Sequence, residues 1–228
     1  MSQLPRTLPR RSLPRASACR ARLALLLGLC GVLANGVFAS LAMAESPSFD
    51  HATETTYRRI TWDDFRGRLS TSKAEQAQIS TAIQSLPFEV EARPLNKGYW
   101  VAAPRTVCFF ATMNKELSGA GKGARTKLLL SHEQGHFDLT EVVARRLSQR
   151  LAGVDAQGAS AEEARASVLA KIDRVYRDAV EELGALQRRY DRETQHGVAR
   201  RVQREWNEEI AAMLRPERTT SPEIELLD

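Results

Sequence analysis

The chain is expected to be α+β, with a small, mostly antiparallel sheet followed by a helical half. Three observations point there. Short alternating apolar stretches fill the region from Thr55 to Met113, the run Gly119 to Gly123 (GAGKG) breaks the chain, and long three- and four-residue apolar spacings follow it. Thr55 to Trp62 alternates well enough for a strand, as do Ile79-Thr81-Ile83, Phe88-Val90-Ala92 and Val107-Phe109-Ala111-Met113. Asn96-Lys97-Gly98 supplies a turn before Tyr99-Trp100. About four strands are expected.

The first helix is expected from about Thr126 to Ala152. The second begins at Ser160, where Ser160 to Glu163 reads as a capping box, and it carries Val168, Ile172, Val175, Ala179, Leu183, Leu186 and Tyr190 on one face. Tyr190 to Gly197 (YDRETQHG) is read as an interruption. A third helix follows with Val198, Val202, Trp206, Ile210 and Met213. Residues 215–228 read as a flexible tail.

The N-terminus reads as a signal peptide over residues 1–44. Six arginines and no acids precede Glu45, and the uncharged run Leu23 to Ala44 ends in Ala42-Met43-Ala44, a small-x-small cleavage pattern. Uncleaved, the run would span a bilayer, at about 33 Å as a helix. The protein is therefore expected to be exported, periplasmic or secreted, and to meet a membrane only through that segment. Residues 45–54 are expected to be flexible, with the domain over 55–214. Without the six arginines, basic residues trail the 28 acidic ones by one, so the body lacks the positive field of a nucleic-acid binder. Cys108 is then the only cysteine after Ala44, and it reads as a buried free thiol.

The chemistry concentrates in LLLSHEQGHFDLTEVVARRL, residues 128–147. His132 and His136 are four apart, roughly 40° around a helix, so both imidazoles reach one ion. Glu133 stands beside them, placed to take a proton from an activated water. Two neutral imidazoles on a packed face also need partners, which an ion supplies. Glu141 lies about 140° from His136 and is turned away, as is Asp138. A metzincin extension would need Gly and His where Leu139 and Val142 stand. The next ligand must come from another segment. An antiparallel second helix would return the chain near Tyr190 to Gly197. His196 is the expected third ligand, with Gly197 allowing close approach. Asp191 is the alternative ligand, or an acceptor that orients an imidazole.

At these residues the chain resembles a bacterial domain-of-unknown-function family described as predicted secreted zinc-dependent proteases. Trp62-Asp63-Asp64-Phe65-Arg66-Gly67 is similar to its W-x-D-F-x-G signature, and Ser131 to Glu141 to its H-E-Q-G-H-F-D block. Tyr190-Asp191-x-x-Thr194-x-His196-Gly197, with Gln203 and Trp206, is similar to its Y-D-x-x-T-x-H-G and Q-x-x-W ending. The resemblance implies a zincin-like domain with His132 and His136 as Zn2+ ligands and Glu133 as base, and it supports a role for the His196 segment. Trp62 and Phe65 read as structural.

The expected function is an exported zinc metallopeptidase acting on a peptide or protein substrate, with a zinc-activated water and Glu133 as general base. Tyr190 and Arg145 are candidates for stabilising the oxyanion. Two alternatives stand beside it: a zinc amidase acting on cell-wall peptides, and a non-catalytic periplasmic interaction module with a structural zinc.

Overall fold

The computed structural model describes residues 52–69, 76–95 and 98–215. The expected signal segment, most of the expected flexible segment at 45–54 (with His51), Asn96-Lys97 and the tail beyond Arg215 lie outside the described residues.

The α+β expectation holds, with finer strands than alternation suggested. Eight short strands are β1 (Glu54–Thr56), β2 (Ala77–Gln78), β3 (Thr81–Ser85), β4 (Val90–Pro94), β5 (Trp100–Pro104), β6 (Phe109–Asn114), β7 (Gly119–Ala120) and β8 (Ala156–Gly158). They form three antiparallel sheets, ordered β1-β6-β3, β2-β7 and β4-β5-β8. The strand expected over Thr55 to Trp62 is cut to three residues. A 3-10 turn at Trp62–Asp64 takes its end, where Asp64 accepts from the Thr61 amide at 2.9 Å and binds the Arg58 guanidinium. Trp62 and Phe65 pack their rings 4.9 Å apart beside Ile60. Gly67 follows because a Cβ there would sit 2.2 Å from the Glu116 carbonyl oxygen. Strand β8 has no alternation to announce it. It is held by pairing with β5, and Gly158 lets it approach the start of the next helix.

Cys108 is half-buried and disulfide-bonded, which corrects the free-thiol expectation. The other cysteines, Cys19 and Cys30, lie outside the described residues.

Helix α1 spans Lys127–Arg150, α2 spans Ala161–Thr194 and α3 spans Arg200–Met213. Thr126 caps α1 by accepting from the Leu129 amide. Ser160 caps α2 by accepting from the Glu163 amide, while the Glu163 carboxylate reaches back to the Ala159 amide at 2.7 Å. The expected break at Tyr190 is not there: α2 runs four residues further, to Thr194. The chain then turns through left-handed Gln195, His196 and Gly197. His196 thus closes one helix rather than opening the next.

Helix α1 is the centre of the fold. One side packs on β3 and β6, the other on α2 and α3. Phe137 fills a small core with Ile60, Phe65, Ala111 and Met113, while Leu139, Val143 and Leu147 join the larger core of α2. Contacts of His132 with Asp191, His136 with Gln187 and Arg150 with Glu182 show α2 running antiparallel to α1. The end of α2 therefore returns to the start of α1, as the sequence reading required. No helix among the described residues is long and apolar enough to cross a membrane.

Candidate metal centre

The second and third turns of α1 carry five consecutive buried polar or small residues, His132 to His136, and each has a separate reason to be there. His132 is 2 % exposed and Glu133 3 %. Gln134 points to the opposite side, where its Oε1 accepts from the Ile60 amide at 2.8 Å and its Nε2 donates to Asp138 at 2.7 Å. Gly135 is the seat of Tyr190, since a Cβ there would lie 2.1 Å from the Tyr190 oxygen.

Tyr190 stacks on the His132 ring with centroids 4.8 Å apart and planes 9° apart. Its hydroxyl donates to the His132 carbonyl at 3.1 Å and accepts from Gln203 Nε2 at 2.6 Å. Burial pushes that hydroxyl well above an ordinary phenol, which keeps its proton in place.

Beside it on α2, Asp191 turns into the histidines. Its Oδ1 lies 2.9 Å from His136 Nε2 and 3.2 Å from His132 Nε2, and the two Nε2 atoms are 3.2 Å apart. Partial burial raises the Asp191 carboxyl, but hydrogen bonds with His132 and His136 outweigh it and hold the group below the usual carboxylate range. His132, His136 and Asp191 each offer one ligand atom, all within 4.8 Å of one another. The group can hold a metal ion.

The far nitrogens decide how well it fits one. His132 Nδ1 faces Gln203 Oε1 at 3.1 Å, and Thr194 Oγ1 at 3.4 Å. His136 Nδ1 faces Gln187 Oε1 at 3.2 Å. With a proton on each Nδ1, each Nε2 presents a lone pair, and both lone pairs converge with a carboxylate oxygen on one point. Three electron-rich atoms so placed repel one another until a cation or proton lies between them. Two imidazoles and a carboxylate suit a first-row transition metal, zinc among them.

Glu133 lies beside the group without joining it. It accepts from the Ile79 backbone amide just ahead of β3. Burial lifts its carboxyl to about 7; the His132 charge opposes the shift and Asp191 adds to it.

The structure thus brings together His132, Glu133, His136 and Asp191. His196 stands at the rim, 79 % exposed, with Nδ1 3.4 Å from the same Asp191 Oδ1. Of the two candidates the sequence offered, Asp191 lies inside the tight group and His196 beside it. Gly197 does permit the close approach: a Cβ there would be 3.0 Å from the His132 Cβ. Tyr190 is buried in the helix interface rather than open to a substrate. Arg145 lies nine residues beyond His136, about 13.5 Å along the helix. Its guanidinium binds Glu141 and the Leu214 carbonyl oxygen. Glu141 faces the sheet, accepting from the Ala111 amide at 3.0 Å, as its helical angle foretold. Gln187 is a site residue that no sequence motif marked. The signal available was its spacing: Gln187, Tyr190, Asp191 and Thr194 recur at three and four residues, one helical face.

No curated protein and no solved structure matches the chain. From Ala124 to Gly197, the stretch that holds both histidines, Glu133, Asp191 and His196, the chain is similar to a bacterial family described as a protein of unknown function (DUF922).

Proposed function

We propose that the protein is an exported zinc metallopeptidase acting on peptide or protein substrates. The observation that carries the reading is the convergence of His132 Nε2, His136 Nε2 and Asp191 Oδ1 beside a buried Glu133. His132, His136 and Asp191 would hold the ion, the three protein ligands that a catalytic zinc site uses. Bound there, zinc supplies a Lewis acid that polarises a carbonyl oxygen and acidifies water.

The chain's own groups do the rest. Glu133 takes the proton of the attacking water and passes it to the departing amine nitrogen. Strand β3 has β6 on one side and no strand partner on the other among the described residues. An extended peptide would add along that edge, beside the amide that holds Glu133. A Glu133→Gln variant is expected to keep its zinc and to lose hydrolysis by roughly 100- to 10,000-fold. Parallel digests of casein and peptidoglycan separate the peptidase from an amidase acting on cell-wall peptides. Equal activity in the variant and the unaltered protein would take Glu133 out of the mechanism.

One observation favours a second reading, a non-catalytic interaction module with a structural zinc. His196 Nδ1 is 3.4 Å from Asp191 Oδ1, near enough for a fourth protein ligand to close the site. Tight zinc that weakens in His196→Ala, with neither casein nor peptidoglycan cleaved, would establish it.

A further inference from the structure

We infer that Gln187 and Gln203 are positioning residues that lock both imidazoles of the centre in the Nδ1–H tautomer, so that the two Nε2 lone pairs face one point before an ion arrives. The inference rests on the metal reading of the cluster.

Each proton in the network has one place to go. Tyr190 donates its single hydroxyl proton to the His132 carbonyl, so it can only accept from Gln203 Nε2. The same Nε2 donates to Asn207 Oδ1 at 2.9 Å. Both partners identify that atom as the amide nitrogen, which fixes Oε1 as the group facing His132 Nδ1. Thr194 donates its proton to the Tyr190 carbonyl at 2.7 Å, so it too accepts at His132 Nδ1. Two acceptors face this nitrogen, and it must carry hydrogen.

The second ring repeats the logic with different residues. Thr140 donates to the His136 carbonyl at 2.9 Å, so it accepts from Gln187 Nε2 at 3.2 Å. Thr81 on β3 donates to the same Thr140 oxygen at 2.8 Å. Gln187 Oε1 is thereby turned to His136 Nδ1.

The lock has something to oppose. Asp191 Oδ1 lies within hydrogen-bond distance of both Nε2 atoms, and a carboxylate favours a proton on whichever nitrogen faces it. An imidazole with Nε2–H donates to Asp191 and offers the ion no lone pair. Each glutamine biases its ring against that arrangement from the other side. Gln187 comes from α2 and Gln203 from α3, so the lock is complete only when both helices are docked on α1.

The test reads the tautomers directly. Long-range proton–nitrogen correlation spectra of the purified, metal-free protein are recorded at about pH 9, above the ordinary imidazole range. Both His132 and His136 are expected to show protonated Nδ1 and bare Nε2. Gln187→Leu is expected to move His136, and Gln203→Leu His132, to the Nε2–H form. Each should weaken zinc binding by roughly 10- to 100-fold. Gln187→Glu, which keeps the acceptor, should retain Nδ1–H on His136 and stay near the unaltered affinity. An Nε2–H ring in the unaltered protein overturns the proposal for that ring, and needs no variant to fold. Nδ1–H rings that persist in both leucine variants overturn it as well, because the glutamines would not be the cause. Locked rings in a protein that binds no zinc would instead sink the zinc reading and leave the lock standing.

Discussion

Helix α1 carries two buried polar clusters on opposite sides, and they are closed in different ways. On the sheet side, every charged or amide group has a complementary partner. Gln134 serves the Ile60 amide and Asp138, Tyr57 donates to Asp138 at 2.9 Å, and Glu141 takes the Ala111 amide and Arg145. On the helix side the outer nitrogens of His132 and His136 are matched just as fully, but their inner nitrogens meet each other and a carboxylate. Donors and acceptors alternate in the first cluster, while the second converges on a point that only a cation or proton satisfies. The difference separates a cluster that fixes the fold from one that can do chemistry.

The largest expected effect breaks the second cluster alone. Asp191→Ala should lower zinc affinity by more than the roughly 10- to 100-fold typical of an outer partner, read by competition with a chromophoric chelator. Retention of full affinity would show that Asp191 is not a ligand. An intermediate effect belongs to the first cluster. Gln134→Met strands the Ile60 amide and should cost about 1–3 kcal/mol in chemical denaturation while leaving zinc stoichiometry unchanged. Loss of zinc in that variant would mean the two clusters are one unit.

The smallest effect lies at Asp64, a group closed like those on the sheet side. Burial raises its carboxyl, but the Arg58 and Thr61 hydrogen bonds prevail and hold it below its ordinary value. A depressed carboxyl stabilises the fold above the unfolded value of about 3.9 and loses that contribution as pH falls below it. Asp64→Asn should therefore cost roughly 1 kcal/mol near pH 7, and the gap from the unaltered protein should shrink in thermal melts as pH falls from about 4 through the lowered folded-state value. A constant gap across that range would remove the charge from the explanation.

Legibility in the sequence followed the range of each interaction. His132, Glu133 and His136 lie within one helical turn, so periodicity placed them together before any fold was known. The caps at Thr126 and Ser160 are equally local, and α1 and α2 begin where those residues stand. Asp191 required knowing that α2 returns antiparallel and that it continues through Tyr190, and the polar run YDRETQHG argued against the second point. In fact Tyr190 and Thr194 are buried there, so tertiary packing keeps helical a stretch whose composition suggests a break. Gln187 shares the face of Tyr190 and Asp191 by its spacing, but that spacing gives it no role, because an amide at a helix–helix seam reads as a surface residue until its partner is known. Strands failed for a related reason: β2, β7 and β8 are two or three residues long, too short for alternation, and are specified by what they pair with.

Gly135 and Tyr190 have a mechanical consequence. A ring seated in a notch that no side chain may fill acts as a key in a slot, and it sets the axial position of one helix against another. Asp191 is the residue next to that key. Sliding α2 by one turn would displace it about 5.4 Å, well beyond the reach of both imidazoles. The smallest residue in the His-Glu-x-x-His stretch thus sets the bite of a centre to which it contributes no atom.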